Sequence, residues 1–292
     1  MYEYSVAQQS HQGGRDYNED RTAIFERDDA LLLVVADGLG GHAGGDIASQ
    51  AFVDALGSSF ESATPLQLKN GTNFLTLSIN YAHHMIHRRA VESGFDVASP
   101  KTTCVVCLIY DGMVQWAHSG DSRLYLIRKR EIEMRTEDHV SNKVSATGSR
   151  PINRCVGGLE KPKPDISDPR ELEQGDIFVL ASDGAWASFK PEDLRDYIDA
   201  EHPTLGLDSL LQELETRNKT PSDNLSMVVM FWGIEQLDKP NINDSIPQKV
   251  ELLRTPDVDP ESMPELAKFD MNNLDSTITD IEKFITELDE KL

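Results

Sequence analysis

The sequence has no apolar stretch approaching the about eighteen residues that a membrane-spanning helix needs. Its opening residues, Met1-Tyr2-Glu3-Tyr4, hold no basic cluster and no apolar run, so they do not read as a secretory signal. Cysteine is scarce: three in 292 residues, an odd number that fits a reducing compartment. Basic residues are also few, 28 against 50 acidic ones, which leaves a formal charge of −22. That field repels nucleic acid and anionic membranes and removes both as expected partners. It does not exclude a phosphate group, because bound cations reverse the field locally. The expectation is a soluble, cytoplasmic protein, with enough hydrophobic residues (39%) for a core. Internal repeats are not evident.

Cys104 and Cys107 form a Cys-x-x-Cys that invites a zinc or redox reading. They lie in the β-branched run Thr102 to Tyr110, where side chains three apart point to opposite faces of a strand. Two thiols on opposite faces cannot share one metal, so core packing is the expectation.

What is abundant is acid, and it falls in short motifs. Arg15-Asp16-Tyr17-Asn18-Glu19-Asp20, Val35-Ala36-Asp37-Gly38-Leu39-Gly40-Gly41-His42, Ala181-Ser182-Asp183-Gly184 and Ser222-Asp223-Asn224 spread over two hundred residues. Three of them adjoin the apolar runs Leu31–Ala36, Ile177–Leu180 and Leu225–Trp232, which read as buried strands. Carboxylates at the ends of buried strands converge on one edge of a sheet, where they repel one another unless a hard divalent cation joins them.

The order of elements follows from periodicity. Residues 20–36 read as a hairpin turning near Arg27-Asp28-Asp29. Helices are predicted over about 45–60 and 73–92, where Ile47, Ala48, Ala51, Phe52 and Ala55, then Leu75, Ile79, Ala82 and Ile86, repeat at helical spacing. Strands follow at about 103–110, 114–119 and 123–128, the first two joined by the turn signal Asp111-Gly112. Further helices are predicted near 191–200 and 205–217. Hairpin connections favour antiparallel sheets covered by helices, an α+β class.

From Gln236 the composition changes. Five prolines fall between Pro240 and Pro264, and acids outnumber bases 14 to 6 across 236–292. Residues 236–270 read as an acidic, Pro-containing linker. In 271–292, Leu274, Ile278, Ile281, Ile285, Leu288 and Leu292 are spaced 4, 3, 4, 3, 4, the seam of a short amphipathic helix. So short a helix is marginal alone and needs cover: its own domain, a second copy or a partner protein.

Taken in order, the acidic motifs, together with Gly120-Asp121-Ser122-Arg123 and Asp223-Asn224-Leu225-Ser226, resemble the bacterial form of the metal-dependent protein phosphatase 2C family over roughly residues 1–235. The resemblance implies a catalytic domain over that range, a four-layer α-β-β-α sandwich of two antiparallel sheets packed face to face and flanked by helices. It implies a protein serine/threonine phosphatase acting on phosphoproteins and opposing a Ser/Thr kinase, with a small-molecule phosphohydrolase or a non-catalytic binding module as the alternatives. It also implies two Mn²⁺ or Mg²⁺ ions. Asp37 would bridge them, with Glu19 and the Gly38 carbonyl on one, Asp183 and Asp223 on the other, and Asp20 acting through water. Asp121 with Asp183 matches a third, weaker metal position. Singly, each Asp also suits a turn or helix cap. All-oxygen ligands suit Mg²⁺ or Mn²⁺ rather than zinc. Arg15 would grip the phosphoryl oxygens with its planar fork, against the plainer alternative of pairing with Asp16 or Glu19. The catalytic set is therefore Arg15, Asp37 and Asp183.

Two departures from the family stand out. Animal members place a His directly after Asp-Gly, where this chain has Leu39; His42 is expected to cap or pack at the helix start. The segment between Asp138-His139 and Arg154-Cys155 is only some fourteen residues, a shortened flap beside the site.

Overall fold

The computed structural model describes residues 4–39, 44–143, 150–198, 202–218 and 222–233. The chain opens with β1 (Tyr4–His11), then the hairpin β2 (Asp20–Arg27) and β3 (Ala30–Leu39). Next come α1 (Gly45–Ser62), α2 (Pro65–Lys69) and α3 (Gly71–Glu92). The strands β4 (Lys101–Thr102), β5 (Cys104–Tyr110), β6 (Met113–Ser119), β7 (Arg123–Arg128) and β8 (Glu131–Arg135) follow. After β9 (Val156–Gly157), β10 (Asp165–Ile166), β11 (Arg170–Glu171) and β12 (Ile177–Ala181) come α4 (Asp183–Trp186), α5 (Pro191–Tyr197) and α6 (Pro203–Arg217), and β13 (Leu225–Trp232) closes the domain.

Two antiparallel sheets result. One runs β1-β13-β12-β7-β8; the other is built on β6, β5, β3 and β2, with the short strands at its margins. Alternation within β3 explains why its run is apolar throughout. Leu32, Val34 and Ala36 face α1 and α3, whereas Leu31, Leu33 and Val35 face the second sheet. β12 and β13 do the same in the other sheet: Val179 and Val229 pack under α6, and Leu180 and Val228 turn inward. A strand buried on both faces loses the polar-apolar alternation of a half-exposed one. The layers are helix, sheet, sheet, helix, as the family resemblance implies.

The two cysteines obey the same rule. Cys104 packs in the layer under the helices and Cys107 in the layer between the sheets, so burial alone pushes the Cys107 thiol up and no shared site exists. The turn Asp111-Gly112 has φ of 52° and 74°, the left-handed pair that a two-residue hairpin requires.

Boundaries differ where local capping intervenes. The second predicted helix starts at Gly71, not Asn73, because the Asn70 side chain accepts the Asn73 amide at 3.3 Å. Before it, a Thr64–Gln67 capping box with Pro65 starts the unpredicted α2. The strand expected from Thr103 begins at Cys104, since the Thr103 amide donates to the Asp37 carbonyl at 2.8 Å. The helix expected to reach Ala200 ends at Tyr197, short of 199–201, which lie outside the described residues. The linker and terminal helix expected in 236–292 also lie outside them.

Candidate metal and phosphate site

The β2–β3 register sets the base of the site. Asp20 stands directly opposite Asp37, a like-charge cross-strand pair that costs stability on its own. Asp37 continues the Leu31-Leu33-Val35 face and so points into the end of the gap between the sheets. From the facing sheet, β12 delivers Asp183 at the first turn of α4, and the segment entering β13 delivers Asp223. Arg15, Asp16, Tyr17, Glu19, Asp37, Gly38, Leu39, Asp183, Asp223 and Asn224 together line an open pocket of about 280 Å³. Among the described residues no imidazole lines it. His42, expected near the helix start, lies outside the described residues.

Gly38 is required by close approach. A Cβ there would lie 2.3 Å from the Gly45 carbonyl oxygen and 2.7 Å from that of Glu19. The glycine thus lets the first turn of α1 press against β3 and hold Glu19 beside Asp37.

Electrostatics show what this arrangement lacks. Burial, then the neighbouring Asp20, Asp183, Asp121 and Asp223, raise the Asp37 carboxyl well above its ordinary range. Burial, opposed by hydroxyls from Ser182 and Ser226, leaves Asp20 at about 7. Burial and then Asp183 raise Asp121 to about 6. Asp183 is raised by burial and by Asp223, and its side chain is hydrogen-bonded to Asp37. Two carboxylates in that contact need a shared proton or a cation between them. Asp121 Oδ1 is buried with no hydrogen-bond partner among the described residues. The donor set is oxygen alone, and among the described residues only Arg15 and, for Asp121, Arg123 offset its charge, so it fits hard divalent cations and not zinc.

Among the described residues, Arg15 is the one cation lining the pocket. Its Nη2 donates to Asp223 Oδ2 at 2.5 Å, while 58% of the side chain remains exposed. The alternative pairing with Asp16 or Glu19 is corrected: the partner comes from the far end of the chain. Asp20 also differs from expectation in setting. It is 2% exposed and accepts a hydrogen bond from Ser182 Oγ at 2.7 Å, so it lies beneath the pocket, not on its wall.

Several supporting residues were given no role by the sequence. Asn224 accepts the Glu19 amide at 2.9 Å and donates to the Gln12 and Tyr17 carbonyls at 2.7 and 3.0 Å, tying the 12–19 loop to the Asp223 segment. Ser10, Asn18 and Ser226 form a chain of hydrogen bonds beneath it. Arg123 makes a two-pronged pair with Asp138, both contacts 2.7 Å, and lies 3.3 Å over the Trp186 ring. Trp186 Nε1 donates to the Asp121 carbonyl at 2.9 Å, so the Arg123 stack props up Asp121. Asn18, Arg123, Asn224 and Ser226 stand within the sequence motifs, which marked their neighbourhood but not their contacts.

The sequence model described as protein phosphatase 2C matches residues 7–217. The chain belongs to the protein phosphatase 2C family. A protein phosphatase named PhpP from Streptococcus pneumoniae is 28% identical over 238 residues, covering 77% of this chain and 95% of the relative. The structure of the serine/threonine phosphatase Stp1 from Staphylococcus aureus aligns at a TM-score of 0.65 and 27% identity, over 80% of this chain and 96% of that one. The catalytic domain of the serine/threonine protein phosphatase PstP, solved with two manganese ions, aligns at 0.65 and 26% identity, over 80% and 99%. The family is metal-dependent, and one of these structures holds two manganese ions. Among the described residues, no helix is long and apolar enough to cross a membrane.

Proposed function

We propose that this phosphatase removes phosphate from phosphoserine and phosphothreonine in proteins, using Mn²⁺ or Mg²⁺. The observation that carries the reading is the meeting of Glu19, Asp37, Asp183 and Asp223 around one pocket with Arg15 at its rim. Asp37, Glu19, Asp183 and Asp223, with the Gly38 carbonyl, would hold the ions. Asp20 would act from beneath through water, and Asp121 with Asp183 would hold a third, weaker ion. When bound, the ions offset the charge of the phosphoryl oxygens and make water acidic enough to supply a nucleophile at neutral pH.

The chain's own groups do the rest. Arg15 exchanges its bond to Asp223 for two oxygens of the phosphoryl group, which orients phosphorus toward the carboxylate cluster. Asn224 keeps the loop bearing Arg15 and the loop bearing Asp223 in fixed relation. Leu39 offers no proton, so the leaving serine or threonine oxygen takes its proton from water. The full ligand set disfavours a non-catalytic binding module. Phosphoserine and phosphothreonine are products of Ser/Thr kinases, so the enzyme works against such a kinase or on its targets.

Mutating Arg15 tests the substrate role. A charge-assisted hydrogen bond contributes about 1.5–3 kcal/mol, so Arg15→Ala should lower kcat/KM on a phosphothreonine peptide about ten- to a hundred-fold with metal affinity retained. An unchanged kcat/KM would return Arg15 to a surface role. Comparing the peptide with nucleotide and sugar phosphates decides the substrate class; faster turnover of the small esters would sink the protein-phosphatase reading.

The segment 236–270 fits a linker and 271–292 a helix that binds a partner or a second copy. β13 starts beside Asp223 and runs about 23 Å away from it before the tail begins, at about 3.3 Å per residue. Deleting 240–292 should therefore leave peptide turnover intact and change association, as read by light scattering. Loss of turnover in the truncated protein would make the tail part of the catalytic core.

A further inference from the structure

Outside the carboxylate pocket, one polar cluster is built with unusual completeness: His118, His139, Asp165 and Arg154. β10 pairs with β6 so that Asp165 stands opposite His118. His139 follows Asp138 and is 7% exposed, its ring stacked on His118 with centroids 4.4 Å apart. The ligating atoms of His118, His139 and Asp165 lie within 4.8 Å of one another, the composition of a zinc site. His118 Nδ1, buried with no hydrogen-bond partner among the described residues, favours that reading.

The hydrogen bonds argue otherwise. The Gly120 amide donates to His139 Nδ1 at 3.3 Å, so Nδ1 carries no proton. His139 Nε2 then holds the proton and donates it to Asp165 Oδ2 at 3.1 Å. A metal at Nε2 would need a proton on Nδ1, against the Gly120 N–H. The Arg154 guanidinium already neutralises Asp165 at 2.6 Å and lies 3.4 Å from His139 Nε2. A cation is in place, and it belongs to the chain.

What the cluster grips is Gly120. The His139 amide donates to the Gly120 carbonyl at 2.9 Å while the His139 ring accepts the Gly120 amide, so one residue satisfies both backbone groups of the other. Gly120 needs holding: its φ is +113°, and a Cβ there would lie 2.6 Å from Thr103 Cβ. The next residue is Asp121, whose Oδ1 is the buried, unpartnered oxygen of the metal region. A side chain follows the direction its backbone sets, and outer partners of this kind govern how well a ligand meets its ion.

We propose that His139, with its tautomer set by the Gly120 amide and Asp165, is the positioning residue for Asp121 and thereby sets the affinity of the third metal position. His139 and Arg154 also frame the 140–153 segment, which is closed at its base by the Val140–Ile152 bridge and by the Asn153 amide on the His139 carbonyl at 2.9 Å. The base of that segment and the backbone that carries Asp121 are therefore held by the same residue, the first through the His139 carbonyl and the second through its ring and amide. The inference rests on Asp121 being a metal ligand, as proposed above.

The test uses the full-length protein and Mn²⁺ titrations followed by electron paramagnetic resonance, with amide exchange on the metal-free form. His139→Ala should weaken the weakest Mn²⁺ class about ten- to a hundred-fold and leave the tighter ions in place. It should also speed exchange of the Gly120 amide in the absence of metal, a readout independent of turnover. His139→Asn, whose Oδ1 accepts the same amide, should restore both, and kcat should fall in the alanine variant without a matching rise in phosphopeptide KM. Asp121→Asn serves as the reference. If Asp121→Asn removes the weak ion and His139→Ala does not, the positioning role is wrong. If Asp121→Asn keeps the weak ion, the ligand assignment fails, and the inference falls with it. Zinc bound with the metal site intact and lost in His118→Ala would overturn the proposal in favour of a metal at the trio.

Discussion

Asp37→Asn and Asp183→Asn should each abolish metal-dependent turnover of a phosphothreonine peptide, with a loss of at least about a thousand-fold. Removing a group that acts as part of a unit costs nearly the whole effect of that unit. Asp37 is the point where the two sheets' carboxylates meet: it is opposite Asp20 in register and hydrogen-bonded to Asp183. The same substitutions should leave the metal-free fold intact, because each removes an ionisable group from a cluster whose ionised members repel one another. Asp37→Asn should in fact melt higher than the unmutated protein when both are metal-free. A variant retaining near-normal rate would remove that residue from the ligand set; a variant that unfolds would show that Asp37 has a structural role that repulsion does not describe.

The metal-free enzyme should lose stability as the pH rises from about 4 to 7, and divalent ions should reverse the loss. The sign follows from linkage. Asp20 at about 7, Asp121 at about 6, and the raised Asp37 and Asp183 all hold their protons in the folded state at pH values where an unfolded Asp, near 3.9, has released its own. Between those limits the native state binds more protons, so stability falls with pH. The contribution is fully present below about 4 and lost as pH passes through the raised values. Each unit of elevation corresponds to about 1.4 kcal/mol, so four such groups form a sizeable load on one end of the sandwich. Cations that bind only the native state remove it by mass action. Melting curves at pH 5 and 8 with chelator and with Mn²⁺ test this. The increase in Tm on adding Mn²⁺ should be larger at pH 8 than at pH 5; equal increases would mean that the ion binds elsewhere. Full peptide turnover in excess chelator would overturn the metal requirement itself.

Much of the architecture was legible because burial on both faces leaves a plain mark. Runs such as Leu31 to Ala36 have no polar alternation, and the acids that end them have few places to go except a shared edge. The hairpin at 28–29, the turn at Asp111-Gly112, the opposite faces of Cys104 and Cys107 and the pairing of helices all follow from local periodicity and turn chemistry. So does the separation of a compositionally distinct tail after about 235. The family resemblance that the ordered motifs carry put Arg15, Glu19, Asp37, Asp183 and Asp223 in a common set, and the pocket they line contains all five.

Tertiary structure decided what each of them touches. No spacing rule pairs Arg15 with Asp223, two hundred residues away, in place of its neighbours Asp16 and Glu19. Nothing local buries Asp20 under Ser182, makes Asn224 a tether between two loops, or stacks Arg123 on Trp186 behind Asp121. The clamp of His139 on Gly120 is of the same kind, since it needs β6, β10 and both ends of the 140–153 segment at once. Periodicity reports which face of an element is buried, a property of neighbours one to four residues apart. Hydrogen-bond partners and raised carboxyl pKa values depend on which elements meet across the gap between the sheets, and only the packed fold brings those together.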